Sequence, residues 1–227
     1  MTSQATDQTD RSPARRNPAA VRENILDVAT IEFAAHGLGA ASVNEIAAKT
    51  HTTKRMIYYY FGGKEGLYTA VLERSYEQMA ERLRDALDVD RLEPLEALRR
   101  LAETTFDHHD RHPEHIRLVV GENMAGGAYL RRSPHARQNW APILDLIAEV
   151  LERGRADGTV RADVDPVDVQ FLVNSLSFFR IANQHTFGIL YGRHLTSAAE
   201  RDHLRTMIGD AVVRTFAADD PGPTGAC

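Results

Sequence analysis

An all-α fold of about nine helices, a small N-terminal three-helix unit followed by a larger helical body, is predicted by three features of the sequence. Apolar residues recur at helical spacing through most of the 227-residue chain, and no useful run alternates as a strand would. Helix starts and stops are marked by Asn-Pro, Ser-x-x-Glu and glycine signals. Charge is divided along the chain. Between residues 11 and 68, eight Lys or Arg stand against five acids, a net +3, so the total of −5 leaves −8 for the remainder.

The elements follow in order. Residues 1–16 are polar and aperiodic and read as a disordered arm in which Arg11, Arg15 and Arg16 could reach a minor groove or a phosphate. Asn17-Pro18 supplies a cap and an N1 proline for helix 1, with Ile25, Val28, Ala29 and Phe33 inward and a stop at His36-Gly37. Ser42 and Glu45 have capping-box spacing and open helix 2, whose inward face is Val43, Ile46 and Ala47. After the turn Thr50-His51-Thr52, Thr52 or Thr53 caps helix 3, Lys54 to Tyr60, anchored by Ile57 and Phe61. Gly62-Gly63 breaks the chain, and Lys64 opens helix 4, a connector carrying Leu67, Val71, Met79 and Leu83. Helix 5 spans Pro94 to Arg111, helix 6 Pro113 to Ala125, and helix 7 starts at Ser133-Pro134 and ends at Gly154. Asp165-Pro166 begins helix 8, reaching about Phe187; Ser197 and Glu200 begin helix 9, ending near Ala217. The domains expected are therefore an arm (1–16), a helix-turn-helix unit (17–63), a helical body led by helix 4 (64–217) and a disordered tail (218–227).

Two short helices joined by a tight turn, the second carrying cations and aromatic hydroxyls, is the geometry that lays a helix in a major groove. Lys54, Arg55, Tyr58 and Tyr59 point away from the core, and Lys64 sits at a helix N-terminus, where free N–H groups and the dipole favour an anion. The run IAAKTHTTKRMIYYYFGGKEGLYTAVL then resembles the signature of TetR-type transcriptional regulators: Ile46, Ala47, Thr53, Ile57, Tyr58, Tyr60, Phe61, Gly63, Lys64 and Leu67 match it. The turn departs from the usual Ala-Gly-Val, with His51 where glycine would supply a positive φ. The segment LSFFRIANQHTFGILYGRHL likewise resembles the C-terminal region of one TetR subgroup.

The resemblance implies a dimer that reads a palindromic operator in double-stranded DNA, with a small-molecule effector held in the second domain among helices 4 to 8. Lys54, Arg55, Tyr59 and Thr53 are expected at bases or phosphates, and Ser42, Tyr58 and Lys64 at phosphates. Polar or aromatic residues on otherwise apolar helices, namely Phe106, Glu122, Asn123, Trp140, Asn174 and Phe178, are the candidate effector contacts. Helix 8 is apolar on more than one face, and helix 9 carries the stripe Leu204, Ile208, Val212, Phe216; together they suggest a four-helix dimer interface.

Other chemistries find no residues. Ser-His-Asp order, a phosphate loop and HExxH are absent, so no enzyme and no cofactor are expected. His108, His109, His112 and His115 invite a metal, but the Pro113 junction and surrounding charges read as a solvated helix end. The only cysteine is Cys227, and neither a signal peptide nor a membrane span is recognisable, which points to a soluble cytoplasmic protein. The rival reading is a DNA-independent ligand-binding or interaction protein whose cationic helix is merely surface.

Overall fold

Asn17 starts the first helix as its cap predicts, its side chain accepting from Ala19 N at 3.1 Å. The computed structural model describes residues 17–89 and 91–219. Within them lie ten helices: α1 Pro18–Ala40, α2 Val43–Lys49, α3 Lys54–Phe61, α4 Lys64–Ala86, α5 Pro94–Arg111, α6 Pro113–Met124, α7 Ala136–Ala156, α8 Pro166–Ala182, α9 Gln184–Tyr191 and α10 Ala198–Phe216. A 3-10 turn, Leu130–Arg132, lies between α6 and α7. None of these helices is long and apolar enough to cross a membrane. The expected arm and its arginines, and the tail beyond residue 219, lie outside the described residues.

Two cores divide the chain. Ile25, Leu26 and Phe33 of α1, Ile46 of α2, Ile57 of α3 and Leu67, Tyr68, Val71 and Leu72 of α4 fill the first. Met79, Ala80 and Leu83 of the same α4 enter the second, with residues of α5, α7, α8 and α10. At 23 residues α4 is about 34 Å long and belongs to both. Leu118 of α6 is buried in the first core, and α6 packs chiefly against α1, with lesser contacts to α8 and α5.

Several boundaries differ from the sequence expectation for identifiable reasons. Helix 8 ends at Ala182 and α9 is separate, because the Asn183 and Gln184 side chains donate to the Phe179 and Ile181 carbonyls and compete with the helical ladder. Ser133 lies two residues before the first cap position of α7, which opens at Ala136; its hydroxyl accepts from His135 N at 3.2 Å and donates to Glu73 Oε1 at 2.5 Å. Gly154 does not stop α7. A Cβ there would stand 2.3 Å from Val160 Cγ2, so this glycine admits a close approach inside the helix. At the end of α10 the chain is held to the body: Val160 bridges Ala217, and Ala218 N donates to Thr159 O at 2.8 Å.

The turn before α3 keeps its geometry without glycine. His51 takes φ 50°, and Thr50 N and Thr52 N donate to Ile46 O and Ala47 O at 3.0 Å each. A β-branched residue tolerates this conformation poorly, so His51→Val is expected to lower unfolding free energy by about 1–2 kcal/mol in urea titrations. After α3, Gly62 ends the helix in the left-handed conformation, φ 74°, and Gly66 brings α4 hard against it. A Cβ on Gly66 would lie 1.9 Å from the Phe61 carbonyl oxygen.

Candidate nucleic-acid interface and internal cavity

The α3 surface is built by one anchor and one cap. Ile57 is fully buried, and the Thr53 hydroxyl accepts from Met56 N at 3.2 Å, which fixes where the helix begins. Lys54, Arg55, Tyr58 and Tyr59 are thereby left exposed, with Tyr59 at 77%. Lys54 Nζ lies 5.7 Å above the Tyr58 ring, and α3 contains no acid. This face can therefore offer an ammonium, a guanidinium and two phenol hydroxyls together to a polyanion.

Its neighbours include a residue that spacing did not single out. The Ser42 hydroxyl accepts from Glu45 N at 3.3 Å, as its cap spacing predicts. The Ser42 N–H in turn donates to Glu32 Oε1 of α1 at 3.1 Å rather than to Glu45. Glu32 Oε2 also accepts from Lys49 Nζ at 3.3 Å. Burial acts to raise the Glu32 carboxyl, but the Ser42 N–H, the Lys49 ammonium and His36 together hold it below its ordinary value. Glu32 thus clasps both ends of α2 to α1. Lys64 Nζ donates to Gly39 O at 3.0 Å, tying the start of α4 to the end of α1.

A cavity of about 880 Å³ opens among α4, α5, α6, the 3-10 turn, α7 and α8. Trp140, Asn174 and Phe178 line it, as proposed from the sequence. The other three candidates do not. Phe106 is fully buried in the second core, its ring 4.1 Å beneath the Arg180 guanidinium. Glu122 Oε1 accepts from Tyr129 N and Leu130 N at 2.8 and 2.9 Å and so holds the 3-10 turn. Asn123 is exposed and donates to Val119 O at 2.9 Å. These three polar or aromatic groups serve helix ends and packing.

The histidines are the main correction. His108, His109 and His115 are buried rather than part of a solvated end, and His109 and His115 line the cavity. Burial first, then neighbouring His side chains, joined by Arg side chains at His108 and His109, pushes each of the three down to about 3. The His109 and His115 rings stack with centroids 5.8 Å apart, and Ser75 Oγ lies 2.7 Å from His115 Nδ1. Among the described residues, no group of three or more His, Cys, Asp or Glu is placed to hold a metal. Spacing carried the missed signal: Leu101, Thr105 and His108, and Ala102, Phe106 and His109, continue the buried stripes of α5. Tyr76, another lining residue not singled out, is pushed up to about 12 by burial and then by Glu122.

The C-terminal stripe is also reassigned. Leu204, Ile208, Val212 and Phe216 of α10 are buried within their own chain, chiefly against α5, and do not face a partner. Ion pairs flank that contact: Arg205 to Glu103 at 2.8 Å, Arg201 to Asp107 at 2.6 Å and Arg180 to Asp110 at 2.7 Å. Among the large apolar side chains left uncovered on the described C-terminal helices are Val167, Phe171 and Phe179 of α8, Met207 of α10, and Ile189, Leu190 and Tyr191 of α9.

Comparison with known proteins places these features in a family. Residues 25–71 match the family model described as bacterial regulatory proteins, tetR family, and residues 94–212 match that of the tetracyclin repressor-like C-terminal domain. The chain is 30% identical over 211 residues to the HTH-type transcriptional repressor NicS of Pseudomonas putida, covering 91% of this chain and 98% of that one. It is 29% identical to the HTH-type transcriptional repressor SCO4008 of Streptomyces coelicolor, over 88% of this chain and 97% of that one. Among solved structures, a TetR family transcription regulator from Marinobacter aquaeolei superposes with a TM-score of 0.66 at 21% identity, over 90% of this chain and 100% of that one.

Proposed function

Because the chain belongs to the TetR family of bacterial regulatory proteins, we propose that it grips a palindromic operator as a homodimer and lets go when a small molecule fills the α4–α8 cavity. It is a DNA-binding transcriptional repressor regulated by ligands, in a family of repressors rather than enzymes. The observation that carries the interface is the exposed, acid-free face of α3. Lys54, Arg55 and Tyr59 face bases or phosphates there. The Thr53 hydroxyl, already an acceptor in its cap, still has a proton to donate. Ser42, Tyr58 and Lys64 hold phosphates and set register; the Lys64 ammonium keeps two donors beyond the one given to Gly39. The reading unit is residues 17–63 and the sensor 64–217, with α4 as connector. The uncovered Phe171, Phe179 and Met207 support a twofold interface made by the outward faces of α8 and α10.

Two elements link cavity and reader. The first half of α4 packs in the N-terminal core, while Tyr76 and Met79 farther along it line the cavity. On α6, His115 and Val119 line the cavity while Leu118 is buried among the reader's core residues. A ligand that favours one setting of these helices shifts the dimer away from the spacing that fits successive major grooves, by as much as its affinity differs between the two settings.

Operator selected from a random DNA pool provides the test. Arg55→Ala is expected to relax preference at particular base pairs by about 1–3 kcal/mol. Lys64→Ala should weaken all sequences alike and reduce the salt slope by about one. Full operator affinity in both variants across a salt titration would overturn the assignment. Absence of any salt-dependent, sequence-preferring complex would favour the DNA-independent reading.

A further inference from the structure

The lining of the cavity has a charge pattern opposite to that of the body around it. Residues 69–217, which form that body, carry a net −4, yet the side chains lining the cavity include two arginines, Arg131 and Arg137, and no carboxylate. Arg131 gives one N–H to Gly126 O at 3.1 Å, and Arg137 makes no hydrogen bond or ion pair with the described residues. Both are exposed and stand at the solvent side, where the 3-10 turn meets the start of α7. Farther in, the walls are aromatic and apolar: Tyr76, Met79, Trp140 and Phe178.

His109 and His115 add no positive charge to that interior. Burial first, then His108 and Arg180 beside His109 and the rings of His109 and His112 beside His115, keeps both neutral at ordinary pH. Asn174 Nδ2 donates to Gln170 O at 2.9 Å, so its amide is partly committed within α8. An apolar interior with cations only at its rim suits a molecule that is mostly hydrocarbon and negatively charged at one end. A cationic ligand would meet two guanidinium groups and no counter-charge. A neutral one would fill the walls and leave both unused.

We infer that the effector is an amphipathic organic acid, its apolar or aromatic part against Trp140 and Phe178 and its carboxylate between Arg131 and Arg137. This rests on the reading of the cavity as the effector site. The planar guanidinium matches a carboxylate through two parallel N–H donors, a geometry that an amide or alcohol of the same shape does not satisfy.

Trp140 is the only tryptophan in the chain and lines the cavity, so its fluorescence reports occupancy. The full-length chain would be titrated with benzoate, 3-phenylpropanoate, 4-phenylbutanoate and octanoate, each beside its primary amide and its amine. Release of labelled operator DNA would be followed in parallel. At least one acid is expected to bind about tenfold or more tightly than its amide, the size of a charge-assisted bond partly screened by water. The same acid should release the DNA. In the Arg131→Gln, Arg137→Gln double variant, that acid should fall to the affinity of its amide. Both substitutions lie on exposed positions, and the acid-to-amide ratio in the unaltered chain stands without them.

An amide or amine that binds as tightly as its acid and releases the DNA overturns the anion inference and leaves the cavity as the effector site. If acids bind better than amides but the double variant keeps the same ratio, the assignment to these arginines is overturned. If no compound in the panel changes Trp140 emission, the inference is overturned together with the support it draws from the cavity.

Discussion

Lowering the pH from 7 to 5 is expected to destabilise the sensor body steeply. His108, His109 and His115 are held neutral with values near 3, against 6.5 for a free histidine. In the unfolded chain all three take up a proton as the pH falls below 6.5; in the folded chain none does until the pH nears 3. The unfolded state therefore binds more protons throughout that window, and stability falls as pH falls. With three protons involved, the slope approaches about 4 kcal/mol per pH unit, against a typical total stability of 5–15 kcal/mol. Above pH 5 most carboxylates stay ionised, so the loss there belongs to the histidines. Urea unfolding at half-unit pH steps would measure it. His108→Gln should flatten the slope by about a third; a stability that is level between pH 7 and 5 would refute the neutral, buried assignment.

Removing the Asp110 carboxylate is expected to cost about 3–5 kcal/mol, because Arg180 would remain as a buried cation without its counter-ion. The Arg180 side chain is 3% exposed, and its bonds run to Asp110 Oδ1 at 2.7 Å and Leu195 O at 3.4 Å. The Phe106 ring beneath it supplies only a cation–π contact. Burial acts to raise the Asp110 carboxyl, but Arg180 and Arg201 hold it below its ordinary value. Arg180→Met combined with Asp110→Ala should recover most of the loss, since an apolar side chain of similar volume leaves no charge to desolvate. Thermal and urea unfolding of the single and double variants would check this. A double variant no more stable than Asp110→Ala would show that the loss arises from packing rather than from the stranded guanidinium.

Local chemistry made much of the fold readable. Asn17, Ser42, Thr53 and Asp165 each accept from a backbone N–H in the first turn of a helix, and those bonds depend on neighbours within three residues. Features that depend on distant partners were not readable. The stripe of α10 has the same spacing whether it meets another subunit or α5, so periodicity identified the face but not what covers it. Glu122 and Phe106 have residue types that suit a binding site; only the placement of the 3-10 turn and of Arg180 shows how they are used. The histidines erred in the other direction. The charges beside them in sequence suggested solvent, whereas the stripe they continue leads into the interior.

Gly66 has a mechanical consequence. With no side chain between α4 and the Phe61 carbonyl, the end of the reading helix and the first turn of the connector meet backbone to backbone. Flexible side chains at such a joint would absorb small displacements by changing rotamer, like slack in a gear train. A main-chain contact has no rotamers to spend, so a displacement of the first turn of α4 bears directly on the end of α3.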